Sequence, residues 1–209
     1  DNNALPVKKD AKIALIGEMA RTPRYQGAGS SLINPIKLDS AYDTLKEMGA
    51  DFTFAAGYTL KGKNKKANEM VAEAVNNAKN ADVALVFVGL TDDYETEGND
   101  RSHINLPPIH NTLVEEVLKV NPNTIVVLSG GASVTMPWAD KVPAILNMFL
   151  TGQAGGSAVC DIIFGDVNPS GKLAETYPIA LEDNSSYNFF PGTSVSVEYK
   201  ESVVVLLGK

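Results

Sequence analysis

Asp82-Val83-Ala84-Leu85-Val86-Phe87-Val88-Gly89 decides the fold. Its apolar side chains run without a break from Val83 to Val88 and end on a glycine. A half-buried strand would alternate apolar and polar residues. An unbroken short run is the pattern of a strand buried on both faces, as in a parallel sheet covered by helices. Working upstream, Ala67 to Lys79 places Met70, Val71, Ala74, Val75 and Ala78 at helical spacing. Asp51 to Ala55 reads as a strand. Leu38 to Met48 reads as a helix stopped by Gly49, and Lys12 to Gly17 as a first buried strand. Downstream, Pro107-Pro108 opens a helix over Ile109 to Val120, which Asn121-Pro122-Asn123 terminates. Strands over Thr124 to Leu128 and Val142 to Phe149 follow, then a helix from Gly152 through Phe164.

Strand and helix thus alternate with short connections. That predicts an α/β domain, a three-layer sandwich with a mainly parallel central sheet and helices on both faces. Its expected span is 11–182, preceded by a linker over 1–10. An extended C-terminal segment covers 183–209. In it Val195, Val197 and Tyr199 alternate as a strand does, and the apolar run from Val203 to Leu207 reads as a truncated or altered end.

Composition narrows the classes. The chain has 209 residues, 44% hydrophobic and 21% charged, which suits a globular domain with a sizeable core. Gly 17 and Pro 11 are too few for a collagen-like or low-complexity chain. Cys160 is the only cysteine, so no internal disulfide can form. The formal charge of −7 is the wrong sign for general nucleic-acid binding. No apolar run approaches the roughly 20 residues of a membrane span. Neither nucleic acid nor membrane is expected as a partner. No signal peptide is visible, but a mature secreted protein would look the same, so localisation stays open.

Ligands of such sheets bind at the carboxyl ends of the strands. Those ends lead here into 17–31, 89–106, 129–138 and 151–156. The most charged of these loops reads Thr91-Asp92-Asp93-Tyr94-Glu95-Thr96-Glu97-Gly98-Asn99-Asp100-Arg101. Clustered carboxylates raise one another's pKa, which suits a general acid. A solvated acidic loop, or a divalent-cation site with oxygen ligands, fits the same spacing. Asp100-Arg101 reads as a bracing pair. Arg24-Tyr25-Gln26-Gly27-Ala28-Gly29-Ser30-Ser31 offers donors and close backbone approach. It lacks the third glycine opening a helix that a dinucleotide site needs, and reads first as a tight structural loop. Trp138, the only tryptophan, is a core residue or a stacking platform, and Cys160 is core. His103 suits a bracing role. The serines lack a His/Asp pairing pattern, so serine hydrolysis is disfavoured.

Taken in order along the chain, these pieces resemble the C-terminal α/β-sandwich domain of glycoside hydrolase family 3, which contains β-glucosidases and β-xylosidases. The resemblance is carried by Ile13 to Gly17, Arg24 to Ser31, Asp82 to Gly89, Glu95 to Arg101 with Leu106-Pro107, Gly130 to Trp138, Gly152 to Gly156, and Gly165 to Leu173. It implies a retaining β-glycosidase acting on a β-glucoside or related oligosaccharide with no metal and no cofactor. The nucleophile, an aspartate, would come from an N-terminal (β/α)8 barrel absent from these residues, and this domain would supply the acid/base glutamate. Glu95, six residues beyond Gly89, is taken as that acid/base. Alignment on Asp100-Arg101 favours Glu97 instead. Arg24, Gln26, Gly27 and Ser30 would line the sugar, and Asp100 and Arg101 would brace the loop. The alternative is a non-catalytic carbohydrate-binding or interaction domain, resting on Trp138 and the missing barrel. A nucleotide-binding α/β domain is a third reading, by fold analogy alone.

Overall fold

The computed structural model describes residues 4–62 and 65–198. Five strands form one parallel sheet: β1 (Ile13–Ile16), β2 (Phe52–Ala55), β3 (Val83–Gly89), β4 (Thr124–Ser129) and β5 (Ala144–Phe149). Their order is β2-β1-β3-β4-β5. Four helices connect or follow them: α1 (Ala41–Glu47), α2 (Ala67–Lys79), α3 (Pro108–Leu118) and α4 (Gly155–Ile163). Helices α1 and α4 pack on each other, as do α2 and α3. Right-handed crossovers then put the two pairs on opposite faces of the sheet, giving three layers.

Burial follows strand position. Every residue of β1 and β3 is buried, whereas every residue of the edge strand β5 is only half-buried. The core contains Leu15, Ile16, Leu85, Val86, Leu113 and Ile125, each at most 1% exposed. Truncating such a leucine to alanine removes transfer energy and leaves a cavity, at a cost of about 2–5 kcal/mol.

Local chemistry sets the boundaries that apolar spacing left loose. Helix α1 starts at Ala41, not near Leu38, because the Ser40 hydroxyl accepts the Asp43 N–H at 3.0 Å and caps the first turn. Strand β5 starts at Ala144, not Val142, since Pro143 has no N–H to give to a ladder. Gly152–Ala154 forms a separate 3-10 turn before α4. Of the segment expected as a linker, residues 4–10 lie against α4: Val7 is buried, its N–H donates to Ile163 O at 2.8 Å, and Lys9 pairs with Asp166 at 2.8 Å.

Beyond the turn at Leu181–Asp183, residues 184–198 run as turns and irregular chain. The alternation at Val195 and Val197 makes no strand. Both side chains are exposed, and a strand needs a neighbour to take its ladder bonds. Tyr199 and the apolar end from Val203 to Leu207 lie outside the described residues.

Candidate active site

The strand order places a switch point between β1 and β3. The chain leaves β1 toward one edge of the sheet and β3 toward the other, which opens a crevice above the pair. The two loops meet across it. Ala28 and Thr96 form a parallel bridge, and the Glu97 N–H donates to Ala28 O at 3.3 Å. The loop after β3 begins as a turn on Thr91, whose carbonyl accepts the N–H groups of Tyr94 and Glu95 at 2.9 and 3.1 Å.

Glu95 sits where the loops after β1, β3 and β4 converge. Its Oε2 lies 2.8 Å from Arg24 Nη1 and accepts the Gly131 N–H at 3.0 Å. Its side chain is 22% exposed, and among the described residues Oε1 has no hydrogen-bond donor. Gly131 is what admits it: a Cβ there would stand 2.9 Å from Glu95 Oε1 and 3.3 Å from Leu150 Cδ1. One carboxylate oxygen is anchored, and the other has no hydrogen-bond partner among the described residues.

Glu97 is placed differently. It is exposed, and its Oε2 accepts the Ser30 N–H at 2.7 Å. Hydrogen bonds from the Ser30 side chain and backbone hold its carboxyl below the usual value, opposite to the rise expected from clustered carboxylates. Gly29 makes this approach possible. Its φ of +108° lies in the region that favours glycine, and a Cβ would come 2.5 Å from Glu97 Cβ.

Arg24 turns inward. It is 8% exposed, and its guanidinium donates to Leu90 O and Glu95 O, each at 2.6 Å, as well as pairing with the Glu95 carboxylate. Gln26 spends its amide inside its own loop: Nε2 donates to Ser31 O, and Oε1 accepts the Ile33 N–H at 3.3 Å. Tyr25 OH donates to Ile33 O at 2.6 Å. The loop is thus the tight structural knot its glycines suggested. Gly27 has open space around it, with Ser31 Oγ at 3.9 Å from a Cβ position, and Ser30 lies at the surface.

Asp100 and Arg101 form no ion pair among the described residues. Arg101 instead reaches Ser133 O at 3.5 Å, across to the loop after β4, and Asp100 is exposed. His103 Nδ1 accepts the Asn105 N–H at 3.3 Å, a turn brace. Trp138 is fully buried and its Nε1–H donates to Asn111 Oδ1 at 3.0 Å. It is core and offers no stacking platform to a sugar. Cys160 is buried, and burial pushes its thiol up to about 12. The loop carboxylates diverge, and among the described residues no group of three His, Cys, Asp or Glu side chains could hold a metal ion.

Beneath the crevice lies a polar pair that reading the sequence missed. Tyr58 OH donates to Phe87 O at 2.8 Å and accepts the Met19 N–H at 3.2 Å. His110 Nδ1 accepts the Gly89 N–H at 3.2 Å, and the two rings lie tilted against each other at 40° with centroids 3.9 Å apart. Burial drives His110 down to about 3 and the Tyr58 hydroxyl up. Both therefore stay neutral and satisfy backbone groups of β3 and of the 3-10 turn Glu18–Ala20 that follows β1. The signal was present: His110 shares helical spacing with Leu113, Val114 and Val117, the buried face of α3.

Comparison with known proteins adds an independent line. Residues 1–205 match the family model for the glycosyl hydrolase family 3 C-terminal domain. The chain is 48% identical over 208 residues to thermostable beta-glucosidase B of Acetivibrio thermocellus, covering 98% of this chain and 27% of that protein. It is 47% identical over 203 residues to an exo-alpha-(1->6)-L-arabinopyranosidase of Bifidobacterium breve, covering 97% of this chain and 27% of the relative. The crystal structure of a Bifidobacterium adolescentis GH3 beta-glucosidase superposes with a TM-score of 0.89 at 48% identity, over 95% of this chain and 29% of that one. The chain thus spans under a third of the length of these relatives.

Proposed function

This chain belongs to the glycosyl hydrolase family 3 C-terminal domain family, and from that premise we propose that it supplies the acid/base half of a retaining β-glycosidase, with Glu95 as the proton donor and acceptor. The observation that carries the assignment is the state of the two glutamates. Glu97 is committed as a charged clasp on Ser30, whereas Glu95 is anchored through Oε2 and keeps Oε1 for a leaving-group oxygen.

The mechanism follows from two carboxylates about 5–5.5 Å apart. The nucleophile, an aspartate on a (β/α)8 barrel of the intact enzyme, attacks the anomeric carbon of a β-glucoside. Glu95 Oε1–H donates its proton to the departing oxygen as that bond breaks. Once the aspartate is esterified its charge is gone, and Glu95 as carboxylate takes a proton from water, which hydrolyses the glycosyl ester. The exposed apolar side chains Leu32, Ile33 and Ile36 beside the crevice support a face that the barrel covers.

The sugar is not chosen by this domain alone on this reading. Two relatives of nearly equal identity, 48% and 47%, carry the names of enzymes for different sugars. Terminal β-linked glucose is the leading substrate class, with specificity residing chiefly in the barrel.

The test uses the intact enzyme that carries this domain. Glu95→Ala is expected to slow aryl β-glucoside hydrolysis, most for poor leaving groups, by about 10²–10⁴-fold. Added azide should restore turnover by replacing the water that the base activates. If Glu97→Ala shows the leaving-group dependence and azide rescue instead, the assignment to Glu95 is wrong.

A further inference from the structure

We infer that the cleft between the loop after β2 and the start of α3 is a binding site for one neutral sugar ring, with His110 as its buried hydrogen-bond donor. The inference goes beyond the acid/base reading and stands whichever glutamate moves the proton.

The cleft holds about 270 Å³. Its walls include Leu60, the turn residues Thr91, Asp93 and Tyr94, and Pro107 and His110 of the segment that opens α3. Asp92, one residue before Asp93, lines a different cleft together with Arg24, so the turn after β3 parts two spaces. Pockets for drug-sized ligands begin near about 300 Å³, so a space of this size suits one ring rather than an oligosaccharide.

His110 is 1% exposed. Its Nδ1 accepts the Gly89 N–H at 3.2 Å, which leaves the proton of the neutral ring on Nε2. Among the described residues Nε2 has no hydrogen-bond partner, and unlike Arg24 Nε and Arg101 Nη1 it is not sealed in protein. The space it meets is the cleft that His110 lines. A donor this deep is costly without an acceptor, so an oxygen from outside the chain belongs there. Helix α3 adds a second donor: the Ile109 N–H lies in its first turn and has no helix carbonyl to bond.

The ligand's chemistry follows from the remaining walls. Asp93 is exposed and makes no ion pair among the described residues, so its carboxylate is an acceptor at the cleft. An anion would face that carboxylate. A cation would face the Nε2–H and the positive end of α3. Hydroxyl groups escape both conflicts, because each accepts from the donors and gives its own proton to Asp93. Leu60, Pro107 and the half-buried Tyr94 ring supply the apolar wall on which sugar C–H groups pack.

The experiment uses the intact enzyme and D-glucose, with calorimetry in solution and soaked crystals. A glucose is expected in this cleft in addition to any in the catalytic pocket, with hydroxyl oxygens against His110 Nε2 and Asp93. His110→Phe keeps a ring packed on Tyr58 but removes the donor. It should weaken this site by about tenfold or more and leave any other glucose site unchanged, and Asp93→Ala should do the same. No glucose in the cleft, glucose there in crystals without a matching site in solution, or an unchanged affinity in His110→Phe overturns the inference. So does displacement of the glucose by sodium sulfate, or a gain in affinity in Asp93→Ala, either of which would mark an anion site. If His110→Phe does not fold, Asp93→Ala decides, and an unchanged affinity in it overturns the site. A flat leaving-group dependence for Glu95→Ala would remove the acid/base reading and leave this inference standing.

Discussion

The loop after β3 is pinned at two points, two residues apart, and they are pinned in opposite ways. At its inner end Glu95 is drawn down between Arg24 and Gly131, with 22% of its side chain exposed. At its outer end Glu97 sits at the surface and clasps Ser30 of the loop after β1. Each is a carboxylate accepting a backbone N–H. The inner one has a buried arginine behind it and an oxygen to spare. The outer one has solvent around it, and its charge is spent on a loop-to-loop link. A carboxylate's role here follows from what stands behind it rather than from its place in the acidic run.

Exchanging each carboxylate for an amide breaks this contrast most directly. Glu95→Gln keeps the side-chain length and an acceptor for Gly131 but cannot transfer a proton. In the intact enzyme its kcat should fall by about 10²–10⁴-fold, whereas Glu97→Gln should cost less than about tenfold. Steady-state rates on phenyl β-glucoside measure both. Similar losses for the two would mean that the clasp and the acid are one unit.

A finer cut moves Glu95 without changing it. Gly131→Ala places a methyl 2.9 Å from Glu95 Oε1. That oxygen ends a flexible side chain, so it can swing aside and the fold tolerates the change. The displaced carboxylate should lower kcat by about 10–100-fold, since small misplacements of a reacting group are costly. Thermal unfolding should stay close to wild type. A large drop in Tm with unchanged kcat would show that Gly131 serves packing and not the position of Glu95.

The sheet was legible because its signal is local. The unbroken run from Val83 to Val88 needs burial on both faces, and a central parallel strand supplies it. Helix α2 begins and ends where its apolar spacing does. The site was legible only as a set of loops. Which glutamate is spare depends on Ser30, 67 residues away, and the grip on Glu95 depends on Arg24, 71 residues away. No spacing rule reaches across β1 and β3. Arg24 and Gln26 carry donors in the chain, but only the folded loop reveals that both turn them toward protein. Asp100 and Arg101 are neighbours in the chain but form no ion pair among the described residues, and Arg101 reaches Ser133 of the loop after β4 instead.

The outer clasp should also be sensitive to pH. Glu97 titrates below its ordinary value because the charged form accepts hydrogen bonds from Ser30. The stabilisation is therefore complete above the ordinary carboxylate range, and is lost as pH falls through the lowered value. Amide exchange at Ser30, compared with Glu97→Gln at each pH, reads this directly. Wild type should be the better protected near neutrality, and the two should converge in acid. A constant ratio across the titration would mean that the charge of Glu97 does not hold the loop.

The smallest expected effect separates the two donors of that clasp. Ser30→Ala removes the hydroxyl but keeps the N–H that donates to Glu97 Oε2 at 2.7 Å. An exposed hydrogen bond contributes little net stability, because water replaces the lost partner. Exchange at residue 30 should rise by roughly threefold, while kcat stays at the wild-type value. Glu97→Gln in the same assay should have the larger effect near neutral pH, since it removes the charge that both donors share. If Ser30→Ala instead matched Glu97→Gln, the hydroxyl and not the carboxylate charge would be what joins the loop after β1 to the loop after β3. The contrast between the inner and outer ends would then rest on neutral hydrogen bonding at the rim and on charge only at Glu95.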